Sequence, residues 1–116
     1  MLIDVLRGRS RTRAFVLDLT REATPCCSVI TVAELHAGMR DSERDVTTAL
    51  LDGLIILPVT RHIAEVAGDL RRAAGKATPS IADCLIAATA VAETMSVVTG
   101  NVRHYRLPGV TVVQAP

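Results

Sequence analysis

The sequence predicts an α/β protein with a mostly parallel sheet, and two observations support that prediction. Short β-branched runs alternate with longer stretches whose apolar residues recur at helical spacing, a pattern typical of parallel βαβ units. One run, Leu54 to Val59, is apolar except for its proline-containing end, as expected of a strand covered on both faces. The length of 116 residues suits a single domain over residues 1–116.

Helices and strands are expected to alternate along the chain. Helices are predicted over residues 2–7, 10–22 and 42–51, and three further helices are predicted to begin at Thr31, Thr60 and Ser80. Strands are predicted at residues 27–30, 54–59, 96–99 and 110–113. Such an order implies strands joined by right-handed crossovers.

Composition excludes several classes of protein. Apolar residues make up 49% and charged residues 22% of the chain, which excludes a disordered protein. No apolar run reaches the roughly 18 residues needed to cross a bilayer, and no secretory signal is recognisable, so we expect a cytoplasmic protein with no membrane association. The cysteines Cys26, Cys27 and Cys84 are odd in number and two are adjacent, which favours reduced thiols, with Cys84 in the core.

Two short segments place a carboxylate near the start of a predicted helix. They are Thr31-Val-Ala-Glu34 and Ser80-Ile-Ala-Asp83. Carboxylates brought together from separate elements can share a metal ion. The same spacing also defines a capping box, in which the acid only stabilises the helix start. A third copy, Ser42 to Asp45, has no surroundings that indicate chemistry.

Charge and histidine placement narrow the candidate functions further. Net charge is only +1, so nucleic-acid binding requires a local basic patch. The arginines form two candidate patches, Arg7, Arg9, Arg11 and Arg13 near the start and Arg103 with Arg106 near the end. A solvated face explains them equally well. The histidines His36, His62 and His104 lie on different predicted elements, which disfavours a zinc site.

Three blocks of the sequence resemble the PIN-domain ribonucleases, and especially the VapC-type toxins of bacterial toxin–antitoxin pairs. The blocks run from Ser28 to Gly38, from Ile81 to Ala90 and from Val98 to Tyr105. They occur in the family's order and spacing, and the resemblance covers essentially the whole chain. It implies a PIN-like three-layer α/β/α sandwich with a mostly parallel sheet.

The resemblance also implies an activity and a set of site residues. The expected activity is that of a Mg²⁺- or Mn²⁺-dependent endoribonuclease that cleaves RNA phosphodiester bonds and is held inactive by a VapB-type antitoxin. Glu34 and Asp83 match the family's metal-binding acids, and Asn101 matches its last polar position. Thr99, Arg103, Arg7 and Arg9 are weaker candidates for contact with the RNA backbone. A homodimer is compatible with the resemblance.

The start of the chain departs from the family pattern. Family members begin with a central strand that ends in a metal-binding aspartate, and residues from Met1 to Gly8 match the family segment just after that strand. Asp4 aligns with the first helix rather than with the missing acid. The sequence as given is therefore expected to lack the first strand and to have weak activity at most. A start site assigned too late explains this departure better than a genuinely shortened protein.

Two other functions remain to be compared with this one. The chain could be a catalytically impaired PIN-fold module that only binds an antitoxin, which the absent aspartate favours. A receiver-like phosphoacceptor domain also uses an acidic pocket with Mg²⁺ but needs an acceptor Asp at a strand end and a distal lysine, whereas the sole lysine here is Lys76 on a helix end. The coding DNA upstream of Met1 is the cheapest discriminator, because an in-frame strand ending in Asp-Thr would restore the family pattern.

Overall fold

The computed structural model describes Arg11, Ala14, Phe15, Leu17, Asp18, Arg21, residues 24–75 and residues 79–116. These residues form two compact units. The first contains the described residues up to Leu57 together with Ala115 and Pro116, and the second runs from Pro58 to Gln114. Asp4, Arg7, Arg9, Arg13 and Lys76 lie outside the described residues.

The first unit is a parallel strand pair linked by helices. Strand β1 (Cys26–Ser28) leads into helix α1 (Val29–Gly38), a 3₁₀ turn (Asp41–Glu43), helix α2 (Arg44–Asp52) and strand β2 (Ile55–Leu57). Cys26 pairs with Ile55 and Ser28 with Leu57. Arg11 and the five other described residues before position 24 are also helical.

The second unit also contains one pair of parallel strands, but a different set of elements joins the two strands. Helix α3 (Arg61–Ala73) is followed by helix α4 (Ile81–Ala92), strand β3 (Val97–Thr99), a second 3₁₀ turn (Val102–Tyr105) and strand β4 (Val112–Gln114). Val97 pairs with Val112 and Thr99 with Gln114, again in parallel. Residues 100–111 therefore make a parallel crossover without an α-helix.

All four predicted strands are present, but the start of the first helix differs from the prediction. The sequence places a strand over residues 27–30 and a cap at Thr31, whereas α1 begins at Val29 with Ser28 as its N-cap. The Ser28 hydroxyl accepts from the Ile30 amide at 3.1 Å, which satisfies one amide at the helix start. This hydroxyl precedes Thr31 in the chain, so the helix incorporates the β-branched pair that propensity alone assigned to the strand.

The prediction for the second strand and the next helix also needs correction. β2 is not covered on both faces, because Ile55 and Ile56 are 48% and 37% exposed. In the described part of the chain this strand hydrogen-bonds only to β1, so it lies at an edge there. The segment from residue 42 to 51 begins as a 3₁₀ turn, and its cap is the Glu43 carboxylate, which accepts from the Arg40 amide at 2.7 Å.

The apolar core formed by the described residues lies in the second unit. The apolar residues of α3 recur at helical spacing, which predicts one buried face, and Ile63 and Ala67 are indeed buried, with Val66, Leu70 and Ala74 packed beside them. They meet a face of α4 whose buried residues are small: Cys84, Ala87, Ala88, Thr89 and Ala90. Small side chains let helices approach closely. The sequence spacing of Ile86, Ala87, Ala90 and Val91 predicts one packed face of α4, but Val91 is 41% exposed.

Candidate active site

Asp83 is held at the first turn of α4 by a reciprocal capping box. The Ser80 hydroxyl accepts from the Asp83 amide at 3.1 Å, and Asp83 Oδ2 accepts from the Ser80 amide at 3.0 Å. Such caps contribute about 0.5 to 2 kcal/mol. A negative charge also interacts favourably with the helix dipole at this end. The capping function predicted for this segment is therefore real.

His104 is the second side chain at this carboxylate. Its Nδ1 lies 3.5 Å from Asp83 Oδ2, and the side chains of His104 and Asp83 are 27% and 13% exposed. Oδ2 thus faces the Ser80 amide and an imidazole nitrogen. Among the described residues, Oδ1 accepts no hydrogen bond, so it is the oxygen that can serve a ligand.

The segment after β3 holds His104 in place through the backbone. The Thr99 hydroxyl accepts from the Asn101 amide at 3.0 Å, and the His104 amide donates to the Asn101 carbonyl at 3.0 Å. The next side chain, Tyr105, is buried in the core. The 3₁₀ turn is therefore fixed at both ends, and the contact between His104 and Asp83 brings the start of α4 beside it.

The other predicted residues of the second unit lie on this same short segment. Thr99 ends β3, Asn101 precedes the 3₁₀ turn and Arg103 lies within it. Asn101 and Arg103 are exposed, and Thr99 is half-buried. An amide, a hydroxyl and a guanidinium thus follow the carboxyl end of a parallel strand, which is where α/β proteins place their ligands.

Glu34 belongs to the first unit, and its local structure contradicts the capping interpretation. Because α1 begins at Val29, Glu34 lies in the second turn, too far from the helix start to complete a box with Thr31. Its side chain is exposed. The helix that carries it follows the carboxyl end of β1, as the sequence predicted. Capping of α1 therefore does not account for this carboxylate.

The described residues fit a divalent metal ion in kind but not in number. Asp83 and Asn101 carry the oxygen donors that hard cations prefer. Within the described ranges, however, no group of three or more His, Cys, Asp and Glu side chains is placed to hold a metal. Arg7 and Arg9, predicted to contact RNA, lie outside those ranges. The side chains described here do not complete a metal centre.

Comparisons with known proteins agree with the fold. The sequence matches the PIN domain over residues 1–110. It is 36% identical to Ribonuclease VapC10 of Mycobacterium tuberculosis, over 90% of this chain and 80% of that protein. It is 32% identical to Ribonuclease VapC19 of the same organism, over 89% of this chain and 85% of the relative.

Two solved structures with the same fold cover nearly the whole chain. One is VapBC2 from Rickettsia felis bound to a DNA fragment from its promoter, with a TM-score of 0.83, 22% identity and coverage of 99% of this chain and 93% of the other. Another is a toxin–antitoxin complex from Klebsiella pneumoniae, with a TM-score of 0.77, 26% identity and coverage of 97% and 90%. The chain therefore belongs to the PIN-domain family, in its VapC branch. The predicted PIN-like α/β fold class is confirmed, and ribonucleases of this family generally depend on a divalent metal.

His104 is the site residue that sequence reasoning missed. The three histidines lie on different elements, as the sequence predicts, and that separation gives no reason to place any of them in the site. A signal was nevertheless present, since His104 follows Asn101 by three positions. The His104 amide donates to the Asn101 carbonyl three positions earlier, which is the 3₁₀ hydrogen-bond pattern, so the turn keeps His104 on the segment that carries Asn101.

Proposed function

We propose that this chain is an endoribonuclease toxin that cleaves RNA phosphodiester bonds and is neutralised by a VapB-type antitoxin. The observation that carries the proposal is the 36% identity to a VapC ribonuclease over 90% of the chain. The antitoxin partner is supported by the likeness to the Klebsiella pneumoniae toxin–antitoxin complex. In the part of the chain that the structure describes, no helix is long and apolar enough to span a membrane. RNA as substrate favours a cytoplasmic location.

The residues proposed for the chemistry are those that the family pattern matches. Asp83 and Glu34 are proposed as ligands of Mg²⁺ or Mn²⁺, with Asn101 as a weaker ligand or a group that orients water. Asp83 is the best supported, because its Oδ1 is left unbonded by the described residues while Oδ2 is held. Glu34 is supported by its exposed position after β1.

The backbone of RNA would be bound by the polar segment after β3. Arg103 is exposed there, and a guanidinium pairs with a phosphate through two parallel hydrogen bonds. Thr99 adds a hydroxyl at the strand end. Arg7 and Arg9 are proposed to attract RNA electrostatically, which predicts that cleavage weakens as salt is raised.

Activity is tested with the purified chain on RNA in Mg²⁺ or Mn²⁺, with and without EDTA. Asp83→Asn retains an oxygen that can cap α4 but removes the charge, so we expect activity to fall by at least about 100-fold with little change in melting temperature. Asp45→Asn is the matched control, since Asp45 is an exposed acid in the first turn of α2. Calorimetric Mn²⁺ binding gives a readout independent of cleavage. Equal rates for both variants would refute a role for Asp83 in catalysis.

The partner is tested by co-expressing the neighbouring upstream gene and purifying the tagged chain. A small protein is expected to copurify and to abolish cleavage. If no protein encoded in the same operon copurifies, the toxin–antitoxin assignment fails even if the chain cuts RNA.

A second function, a PIN-fold module that binds an antitoxin without cutting RNA, is favoured by one specific observation. Across residues 24–75 and 79–116 no acidic group of three is placed to hold a metal. The two functions separate cleanly in the experiments above. Complex formation without metal-dependent cleavage supports the binding module, and cleavage that Asp83→Asn abolishes supports the enzyme.

A further inference from the structure

We propose that His104 is a positioning residue that fixes the carboxylate of Asp83, donating from Nδ1 to Oδ2 so that Oδ1 is directed toward a ligand. This inference deepens the proposed function and rests on it for its catalytic consequence. The arrangement itself lies entirely within the second unit.

Geometry is the first support. A capping box needs one carboxylate oxygen, and the Ser80 amide already occupies Oδ2. A second group at the same oxygen adds little to the cap, yet it restricts rotation of the carboxylate about its terminal bond. His104 Nδ1 lies 3.5 Å from this oxygen. That distance is longer than a typical N–H···O bond, and contacts at active sites commonly tighten when substrate binds.

The second observation is that the fold holds the segment that carries the imidazole. The backbone of His104 donates a hydrogen bond to the Asn101 carbonyl and is followed by the buried Tyr105, so the segment that carries the ring is placed by the fold. Asp83 precedes Cys84, which is fully buried in the same core. Both side chains are therefore attached to rigid elements, and a ring on a rigid element can orient a carboxylate with little loss of conformational entropy.

Packing is the competing explanation, because a ring that is 27% exposed also covers apolar surface. Two substitutions at His104 distinguish the effect of the hydrogen-bond donor from the effect of the ring. His104→Asn keeps an N–H near the position of Nδ1 but loses the ring, and His104→Phe keeps the ring but loses the donor. His62→Phe is the control, since His62 is exposed on α3 in the same unit.

Nuclear magnetic resonance of ¹⁵N-histidine-labelled protein tests the contact without any activity. We expect the proton of His104 to reside on Nδ1 in the wild-type chain, and its resonance to shift in Asp83→Ala but not in Asp45→Ala. A proton on Nε2 with a bare Nδ1 in the wild type overturns the proposal. This result stands even if the chain cuts no RNA, so failure of the proposed function is distinguished from failure of this one.

Kinetics then test the consequence for catalysis. We expect His104→Phe to lower kcat by about tenfold, with KM within about twofold and an unchanged melting temperature, and His104→Asn to recover most of the loss. His62→Phe should match the wild type. If His104→Phe keeps the wild-type kcat and His104→Asn loses it, His104 acts by packing and the proposal is overturned. The proposal is also overturned if the loss of kcat in the variants follows a loss of melting temperature.

Discussion

The hydroxyl of Thr47 is buried without a hydrogen bond among the described residues. Thr47 is 0% exposed, and its Oγ1 has no partner there. A hydroxyl removed from water without a partner costs about 1 to 3 kcal/mol. Valine has nearly the same shape and no hydroxyl. Replacing Thr47 by valine therefore tests how much the unpaired Oγ1 atom lowers the free energy of unfolding.

We expect Thr47→Val to raise the free energy of unfolding by about 1 kcal/mol, because the unpaired hydroxyl is replaced by a methyl group. Urea denaturation measures this difference. Thr48→Val is the matched control, since Thr48 is exposed on the same helix and should change stability by less than about 0.5 kcal/mol. A destabilised Thr47→Val protein would mean that the hydroxyl has a partner in solution.

The thiol of Cys84 gives a second prediction, on the pH dependence of stability. Burial raises the pKa of Cys84, the charge of Asp83 raises it further, and Arg71 opposes both. The unfolded thiol ionises at its ordinary pKa value of 9.0, whereas the folded thiol stays protonated to higher pH. The unfolded state therefore binds fewer protons above pH 9, and stability falls as pH rises through that region.

Unfolding free energies measured at about pH 7.5 and about pH 10, on either side of that ionisation, test this expectation. The loss between the two pH values should be smaller in Cys84→Ala than in the wild type, whatever the cost of the cavity. Burial also raises the pKa of Cys27, so a residual loss is expected in the variant. An identical loss in both proteins would show that Cys84 does not carry the effect.

The individual residues show where sequence reasoning works. Ser80 and Asp83 form the predicted capping box because all of its determinants lie within four residues. Cys84 is buried as predicted, and it belongs to the apolar cluster in which α4 packs. The contact of His104 with Asp83 was not predicted, since it depends on how residues 100–111 cross between strands and no local pattern encodes that distance.

The ends of α3 and α4 show how one conformation is supplied by different residues. After α3, Gly75 has a φ of +79°, and among the described residues that are not its chain neighbours none has an atom within 4 Å of where its Cβ would be. After α4, Thr94 has a φ of +54°. Its amide donates to the Val91 carbonyl, and that of Met95 donates to the Ala90 carbonyl, which is the Schellman pattern. Glycine favours that position and a β-branched residue does not.

We expect Gly75→Ala to lower stability by about 1 kcal/mol and Thr94→Gly to raise it by a similar amount, because each exchange acts on backbone strain at a positive φ. Thermal unfolding of both variants and of the double variant measures the effects, which should be additive. A destabilising Thr94→Gly would indicate that the threonine side chain makes a contact worth more than the strain.

Element boundaries were predicted less well than element order. The strands lie within about two residues of their predicted positions, because β-branched runs bounded by turns are a strong local signal. The predicted start of α1 was wrong since two nearby hydroxyl residues, Ser28 and Thr31, could each cap it. The predicted burial of β2 was wrong because an apolar run reports hydrophobicity, not which faces are covered.

Among the described residues, burial is unevenly distributed between the two units. The apolar cluster that the described residues form is drawn from the second unit, from α3, α4, β3 and the residues after β3. In the first unit, Leu35 is 4% exposed, whereas the strand residues Ile55 and Ile56 are substantially exposed. Local stability follows buried apolar contact, so the two units are expected to differ in how readily their backbones open.

Native-state hydrogen exchange tests that expectation. Amides in the middle of α3 and α4 should exchange slowest, at least about tenfold more slowly than amides of α2 and β2, because opening them exposes the main core. Each measured exchange rate is compared with the intrinsic rate of that amide in an unstructured chain, so that differences in local sequence do not affect the result. Equal protection in α2 and α4 would show that stability is spread evenly.

The overall class was predictable, while the complete site was not. Alternating strand and helix patterns and three sequence blocks were enough for the PIN-like fold. The proposed ligands Glu34 and Asp83 belong to different units, so their relation depends on long-range packing that sequence spacing does not contain. Within the second unit, the start of α4 and the turn after β3 meet through the side chains of Asp83 and His104, which are far apart in the sequence.

Asp83 caps α4 and is also proposed to bind the metal ion, and these two roles have a consequence for genetic selection. If the protein is toxic, colonies that survive its expression without an antitoxin are expected to carry substitutions that inactivate it. At Asp83 these should fall into two kinds: Asn, which still caps α4, should leave full-length protein at normal abundance, whereas Pro or Gly should leave little because the helix start is lost and unfolded chains are degraded. Immunoblots of survivors would separate them. In a cell that also carries an intact copy of the gene, only the first kind would sequester antitoxin and so release the intact toxin.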